Sequence, residues 1–311
     1  MDFESNLPSI GILMGTYNGE KFIAEQLDSI ATQTHPNWRL IASDDGSVDE
    51  TLNILAQYQK AWGEQKLEIR QGPARGFSAN FLSLACDASI DADYYAFADQ
   101  DDVWQPEKFA VAINYLAKQD PAIPTVYCGR TAYVDDNLKP KGFSPLFIYP
   151  TRFRNALVQS IAGGNTMVFN RAAKKLLEAA GVLEVVSDDW WLYLLIMGAG
   201  GKVYYHAEPY VLYRQHADSL IGGNNSLVAS AERIVLGIRG RFRYWNDIHV
   251  IALDQCRHLL TSNATEILDL FLRLRDSHFI HRCRMIEVCG LYRQTRRGSI
   301  SLLIAAALKK V

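Results

Sequence analysis

The sequence predicts an α/β fold with a mixed, mainly parallel sheet that helices cover on both faces. Short apolar runs alternate with amphipathic segments of about ten or more residues, which is the pattern of strand-helix-strand units. Three of the apolar runs end in polar or acidic motifs, GTYNG, SDDGS and ADQDD. Ligands of such sheets bind beyond the carboxyl ends of the strands, so these motifs are expected to meet at one edge.

The first half of the chain alternates four predicted strands with three predicted helices. The first strand stops at the turn residues Asn18 and Gly19, and the following helix has Ile23, Leu27 and Ile30 at helical spacing. The strands are predicted at residues 10–17, 38–47, 67–72 and 94–102, and the helices at 20–33, 49–62 and 77–89.

The second half contains shorter strands and then a helical region. Residues 125–136 are predicted as a strand, 163–181 as a strand passing into a helix, 187–201 as a helix, and 202–216 as one or two strands. Residues 228–245 and 264–288 have helical patterns. The turn-rich IGGNNS at 221–226 predicts a boundary between a domain at 1–222 and a basic helical region at 223–311.

Composition excludes several classes of protein. Hydrophobic residues make up 49% and charged residues 21%, which is typical of globular rather than disordered or fibrous chains. The five cysteines are odd in number and form no CxxC pair, so we expect neither a zinc site nor disulfides, which fits the cytoplasm. No basic segment precedes the first apolar run, so no secretory signal is expected. The run ISLLIAAAL at 300–308 is too short to cross a bilayer.

Charge is divided unequally along the chain. Residues 225–311 contain 14 Lys and Arg against 7 Asp and Glu, whereas the first 224 residues contain 18 against 27. Because RIVLGIRGRFRYW interleaves Arg with large apolar residues, we predict peripheral attachment to the cytoplasmic face of the inner membrane. The alternatives are dimerisation and packing of the basic region against the acidic body. Nucleic-acid binding is not predicted.

Acidic clusters mark the candidate chemistry. Asp99, Asp101 and Asp102 repel one another unless a cation compensates, which predicts a site for Mg²⁺ or Mn²⁺. The alternative for Asp102 is a cap of the following helix. Asp188 and Asp189 begin an apolar helix, where one acid can cap and the other can act as a general base.

Other motifs are compatible with a nucleotide. The Asp44-Asp45 pair in SDDGS forms either a plain turn or a contact to base and ribose, and YRQH offers Arg214 and His216 to phosphate or metal. Neither GxGxxG nor GxxxxGK[ST] follows the first strand, so a dinucleotide fold and a P-loop are not indicated.

Taken together, six blocks resemble the family 2 glycosyltransferases with a GT-A fold, and most closely their bacterial rhamnosyltransferase-like branch. The blocks cover roughly residues 9–220 and are TYNGEKFIAEQLDSIATQT, SDDGSVDET, FADQDDVW, GGNTMVFNR, DDWW and LYRQH. QxxRW is absent, so a processive synthase is not expected.

The resemblance implies roles for individual residues. The nucleotide-sugar would contact Thr16, Tyr17, Asn18, Asp44, Asp45, Arg75, Asn80, Asp99, Gln100 and Arg214. Asp101 and His216 would hold the cation, and Asp189 would be the base that activates the acceptor, with Asp188 as the other candidate. The acceptor side would be formed by Gly164, Asn165, Trp190 and Trp191.

The function that the resemblance implies is inverting, metal-dependent sugar transfer, with L-rhamnose from dTDP-rhamnose as the expected donor. The acceptor would be a glycan or lipid-linked glycan of bacterial O-antigen or capsule, and a homodimer is conceivable. Two alternatives stay open: the same fold with a UDP-hexose or other donor, and a non-catalytic subunit that binds sugar nucleotides. The presence of both Asp101 and Asp189 favours an enzyme.

Overall fold

A seven-stranded sheet forms the centre of the protein, whose computed structural model describes residues 7–215 and 241–311. Its strands in spatial order are β10 (Lys202–His206), β6 (Thr125–Gly129), β9 (Val168–Asn170), β4 (Tyr94–Ala98), β1 (Ile10–Thr16), β2 (Trp38–Asp44) and β3 (Leu67–Gln71). In the described part of the chain, β9 alone runs antiparallel to its neighbours in this sheet. The predicted mainly parallel sheet is therefore confirmed.

Helices cover both faces of this sheet, as predicted. On one face lie α1 (Ile23–Ala31), α2 (Thr51–Trp62) and α4 (Lys108–Leu116). On the other face lie α3 (Phe77–Ala85), α5 (Phe153–Ala156), α6 (Arg171–Ala180) and α7 (Asp188–Gly198). Strand β1 shows why two layers form, because Ile12 and Met14 pack on the first face while Leu13 packs on the second.

A second sheet of four strands was not predicted. It contains β5 (Val103–Trp104), β11 (Val211–Arg214), β7 (Ala132–Val134) and β8 (Pro140–Phe143), in that order. The predicted strand at 125–136 is therefore two strands, β6 and β7, and 202–216 likewise divides into β10 and β11. The chain leaves the main sheet where Arg130 N donates to the His206 carbonyl, and both segments then pair in the second sheet.

Four helices follow residue 240, namely α8 (Arg241–Gln255), α9 (Ser262–Asp276), α10 (Phe279–Cys289) and α11 (Arg296–Ala307). They share a hydrophobic core with α7, where the ring centroids of His249 and Trp190 lie 4.6 Å apart. The side chain of Asn155 also donates to the Tyr292 carbonyl at 3.0 Å. Across the described ranges, none of the helices combines the length and apolar character that a membrane crossing requires. The predicted boundary at 222/223 lies outside the described residues.

Candidate functional site

The three polar loops predicted to meet do lie side by side at the carboxyl edge of the main sheet. Strand β1 pairs with β2 and β4, so that Thr16 is opposite Asp44 and Met14 is opposite Ala98. The Thr16 hydroxyl donates to Asp44 Oδ2 at 2.9 Å. The loops after these strands therefore line one continuous edge.

Asp44 and Asn18 fasten two of these loops together. Asp44 Oδ1 accepts from the backbone N–H of Gly46 and Ser47, and its Oδ2 accepts from two hydroxyls. Asn18, with a φ of 48°, donates its backbone N–H to the Ser47 hydroxyl and accepts from Val48 N through its side chain. Because these polar atoms already have protein partners, both side chains shape the edge and are less suited to direct contact with a nucleotide.

Asp45 organises the loop before α3. Its two carboxylate oxygens accept from the backbone N–H groups of Ala74 and Gly76, at 2.6 and 2.9 Å. Arg75 lies between those two residues with an exposed side chain. Asn80, in contrast, is buried and exchanges hydrogen bonds with Ser43. Of the two residues predicted in this stretch, Arg75 is thus placed to reach a ligand, whereas Asn80 joins β2 to α3.

Gln100 clamps the backbone of the first loop. Its side-chain amide accepts from Tyr17 N and donates to the Tyr17 carbonyl, both at 2.9 Å. A Cβ on Gly19 would lie 2.3 Å from Gln100 Oε1, so the glycine permits this close approach. The Tyr17 ring is exposed at the edge, where it could stack on a base.

Four carboxyl groups converge beside this edge. Burial, followed by the nearby charges of Asp101 and Asp189, raises the pKa of Asp99 to about 7. Burial together with Asp189 and Asp99 raises the pKa of Asp188 well above its usual range. The segments meet over Gly164, where an added Cβ would lie 3.0 Å from Asp188 Oδ2 and 3.6 Å from the Asp189 Cβ. Gly164 therefore allows Asp188 and Asp189 to approach the backbone at this position.

Asp189 is held in a defined orientation at the first turn of α7. Its Oδ1 accepts from the Ser187 hydroxyl and from the Trp190 backbone N–H. Burial raises its pKa, and those two donors limit the rise. A half-buried carboxyl group with raised basicity and a fixed orientation is suited to accept a proton from a substrate.

Asp102 is fully buried and does not cap a helix, contrary to that alternative. Helix α4 begins at Lys108, and Asp102 instead accepts from the side-chain amide of Asn165, which is itself buried. Burial and the charges of Asp99 and Asp101 raise its pKa well above the usual range. Asn165 was expected on the acceptor side, but its contact is with this acid beneath the loop.

The expectations for Arg214, Trp190 and Trp191 also change. Arg214 is completely buried, and its guanidinium donates to the carbonyls of Asp101 and Asp136 and to Glu25. It therefore holds the Asp101 backbone rather than offering its donors to phosphate. Trp190 and Trp191 are buried in the core, where Trp245 and His249 of α8 pack against the Trp190 ring, so neither forms an open acceptor surface. His216 lies outside the described residues.

Some contributors to the site had no signal in the sequence. Ser187 orients Asp189, and Glu25 pairs with Arg214 from a helix almost two hundred residues away. Lys108 lies buried with its Nζ 3.3 Å from the centroid of the Trp104 ring. Burial lowers the pKa of this lysine well below its usual range, and the charges of Asp102 and Asp99 oppose that shift. A lysine that begins a helix is ordinarily solvated, so only the packing identifies it.

The acids suit a hard divalent cation, although a complete cage is not formed. Among the described residues, no group of three or more His, Cys, Asp or Glu is arranged to hold a metal ion. Magnesium commonly uses one or two protein carboxylates and takes its remaining ligands from water and substrate phosphate. Asp101 and Asp99 fit that donor set, since burial and the charge of Asp101 raise the pKa of Asp99 and a bound cation would oppose that effect.

The raised pKa of Asp99 predicts a pH dependence of stability. Without divalent cations, the melting temperature should fall as pH rises from the ordinary carboxyl pKa of 3.8 through about 7. The folded state keeps a proton on Asp99 that the unfolded state releases, so this stabilisation is complete below the window and lost above it. Thermal melts in EDTA across this range measure the effect.

Asp99→Asn is the comparison for that experiment. Because asparagine cannot ionise, the melting temperature of this variant should fall less steeply as pH rises. A decline should remain, because Asp102 and Asp188 also have raised pKa values and affect stability in the same direction. An unchanged slope in the Asp99→Asn protein would contradict the assignment of the raised pKa to this residue.

The sequence is similar to known glycosyltransferases. The sequence model described as "Glycosyl transferase family 2" matches residues 11–177. The dTDP-rhamnosyl transferase RfbG of Shigella flexneri is 29% identical over 238 residues, which are 72% of this chain and 78% of RfbG. TuaG of Bacillus subtilis, a glycosyltransferase named for teichuronic acid biosynthesis, is 24% identical over 196 residues, covering 61% of this chain and 73% of TuaG.

Two solved structures share the fold. TarS 1-349 of S. aureus in complex with UDP-GlcNAc aligns with a TM-score of 0.52 and 14% identity, over 97% of this chain and 88% of that one. GalNAc-T7 with UDP, GalNAc and Mn²⁺ aligns with a TM-score of 0.50 and 15% identity, over 68% of this chain and 45% of that one. At these identities the likeness concerns the fold alone.

Proposed function

The chain belongs to glycosyl transferase family 2 and has the GT-A fold, and from that premise we propose the reaction that it catalyses. It transfers L-rhamnose from dTDP-rhamnose to a glycan or lipid-linked acceptor of a bacterial surface polysaccharide, O-antigen or capsule, with inversion at the anomeric carbon. The observation that carries this proposal is the convergence of Asp99 and Asp101 with Asp189 at the carboxyl edge of the sheet.

The donor's nucleotide binds along the edge formed by β1, β2 and β4. Tyr17 and Asp45 contact base and ribose, Arg75 approaches from the loop that Asp45 holds, and Asp99 faces the ribose. Thr16, which was also expected to contact the nucleotide, is buried with its hydroxyl donated to Asp44 and supports the edge instead. Four other residues support this surface through the contacts described above, namely Asn18, Asp44, Asn80 and Gln100. Rhamnose is supported by the likeness to RfbG, which extends over most of both chains.

Asp101, with His216, holds the divalent cation, and Arg214 fixes the backbone of Asp101 from below. The chemistry supplied by bound Mg²⁺ or Mn²⁺ is neutralisation of the negative charge that develops on the departing diphosphate. GalNAc-T7, which shares the fold, was solved with Mn²⁺.

Asp189 removes the proton from the acceptor hydroxyl as that oxygen attacks the anomeric carbon. Its orientation by Ser187 and Trp190 N holds the accepting oxygen steady during attack from the face opposite the diphosphate. A single displacement of this kind inverts the configuration. Asp188 is buried and has a strongly raised pKa, which makes it the weaker candidate for the base.

A second candidate donor is a UDP-hexose, because TarS shares the fold over nearly the whole chain and was solved with UDP-GlcNAc. The cytoplasmic location, the lipid-linked acceptor and the homodimer remain predictions from the sequence.

A thermal-shift panel separates the donors. Protein is melted with dTDP-rhamnose, UDP-glucose, UDP-GlcNAc or GDP-mannose, each with and without Mn²⁺. A ligand at one hundred times its Kd stabilises the native state by about 2.7 kcal/mol, so the cognate donor should raise the melting temperature most, and more with Mn²⁺. If a UDP-sugar raised the melting temperature more than dTDP-rhamnose does, the UDP-sugar would be the donor and the assignment of rhamnose would be wrong. No shift with any nucleotide-sugar would contradict the site itself.

A further inference from the structure

Helix α11 buries Leu302 and Ala306 but leaves several large apolar side chains exposed. Ile300 and Ile304 are 57% and 51% exposed, and Leu303 and Leu308 are similarly exposed, whereas Ala306 is buried. Spacings of three and four residues place the exposed set on one side of the helix. Packing within the described chain therefore leaves this side, which we call the α11 face, in contact with solvent.

Exposed apolar residues continue beyond both ends of α11. At its end, the Arg282 guanidinium donates to the Ala307 carbonyl, which places the first turn of α10 alongside, and there Ile280 is 74% exposed. Before its start, the Gln294 side chain pairs with the backbone of Tyr149, whose neighbour Ile148 is 75% exposed. The α11 face and these exposed residues near its two ends, Ile280 and residues 146–149, are together called the apolar strip.

The surroundings of this strip are strongly basic. Residues 277–311 contain seven Lys and Arg but a single acid, Glu287. Arg284, Arg296, Arg297 and Lys309 are exposed. Pairing of two copies through the strip would bring two sets of these cations near one another, which is costly. An anionic surface, in contrast, would be attracted by them.

We propose that the apolar strip is a docking surface for an anionic lipid bilayer. The α11 face lies in the interface between headgroups and acyl chains, and the arginines at its start contact lipid phosphates, as in helices that lie along a membrane surface. This surface does not depend on the identity of the donor sugar.

Vesicle binding tests the apolar part of this proposal. The full chain should sediment with vesicles of phosphatidylcholine and phosphatidylglycerol, and more weakly with phosphatidylcholine alone. A triple variant in which Ile300, Leu303 and Ile304 are each replaced by serine should have an apparent partition coefficient at least about tenfold lower. The reason is that three aliphatic side chains would no longer be buried in the bilayer. The matched control replaces Leu7, Leu52 and Val182, also exposed, with serine and should bind as the parent does.

Charge substitutions test the lipid specificity. Arg296→Gln with Arg297→Gln should weaken binding to the anionic vesicles about tenfold to thirtyfold and leave binding to phosphatidylcholine unchanged. Lys60→Gln with Lys118→Gln removes two exposed cations from elsewhere and should have little effect. Added NaCl should weaken the parent's binding in the same direction.

The molar mass in solution tests whether a second copy of the chain, rather than a bilayer, covers the apolar strip. Circular dichroism first verifies that each variant is folded, and light scattering then gives its mass. If the serine variant changes from dimer to monomer while vesicle binding is unchanged, the strip is an interface between copies and the proposal fails. Absence of vesicle binding by the parent chain would overturn it as well.

Discussion

Replacing Asp189 with asparagine is expected to lower the rate of sugar transfer by about 10² to 10⁴, the usual contribution of a positioned general base. Asparagine has nearly the same shape and can still accept from Ser187 and Trp190 N, so the fold and the donor site should persist. The loss should appear in kcat, measured as nucleoside diphosphate released in the presence of acceptor. Donor affinity, measured by calorimetry, should change little.

Asp188→Asn is the matched control, because the two acids are adjacent and only one is positioned by Ser187. Asp188 is buried, and its raised pKa favours the neutral form, which asparagine imitates in shape. We therefore expect this variant to retain most of its transfer rate. A full rate in Asp189→Asn together with a large loss in Asp188→Asn would exchange the two roles. Full transfer rates in both variants would show that neither acid of α7 is the general base.

Replacing Asp101 with asparagine is expected to abolish the part of donor binding that depends on a divalent cation. It should also reduce kcat/KM by about two to three orders of magnitude, since Lewis-acid stabilisation of a departing phosphate is worth several kcal/mol. Calorimetric titration of the nucleotide-sugar with and without Mn²⁺ measures the first effect, and initial rates measure the second. Treatment of the parent protein with EDTA should reproduce both losses reversibly.

Asp102→Asn is the comparison for Asp101. Its neighbour Asn165 can hydrogen bond to an amide oxygen as it does to the carboxylate, and the raised pKa of Asp102 already favours the uncharged form. Cation-dependent binding should therefore survive this substitution. If Asp102→Asn loses it and Asp101→Asn retains it, the buried acid would be the metal ligand and the assignment would be reversed.

Burial separates neighbouring acids that look equivalent in the sequence. In DQDD, Asp101 is partly exposed at the edge while Asp102 is enclosed beside Asn165 and opposite Lys108. In SDDWW, Asp189 receives two donors and Asp188 lies beneath Gly164. Asp101 and Asp102 follow one another in the bend between β4 and β5, and Asp188 and Asp189 in the first turn of α7, so the two acids of each pair differ in environment and can have different functions.

The sequence by itself determined the central sheet and the meeting of its loops. Alternation of apolar runs and helices predicts parallel strands, and parallel strands bring their carboxyl ends to one edge whatever their order. The choice of Asp101 for the metal and Asp189 for the base rested on the resemblance to family 2 glycosyltransferases. The parallel sheet and the meeting of GTYNG, SDDGS and ADQDD were expected from the residues alone. These inferences depend on local periodicity and on turn residues, which a sequence displays directly.

Only the tertiary structure decided how the individual side chains are used. The second sheet, the burial of Arg214 against Glu25, the pairing of Asn165 with Asp102 and the covering of Trp191 all join segments far apart in the chain. A motif specifies residue type and spacing, but it does not specify which atoms are already satisfied by distant partners. The outward α11 face is the same case, because its apolar residues could have been assigned to a core until the helix was placed.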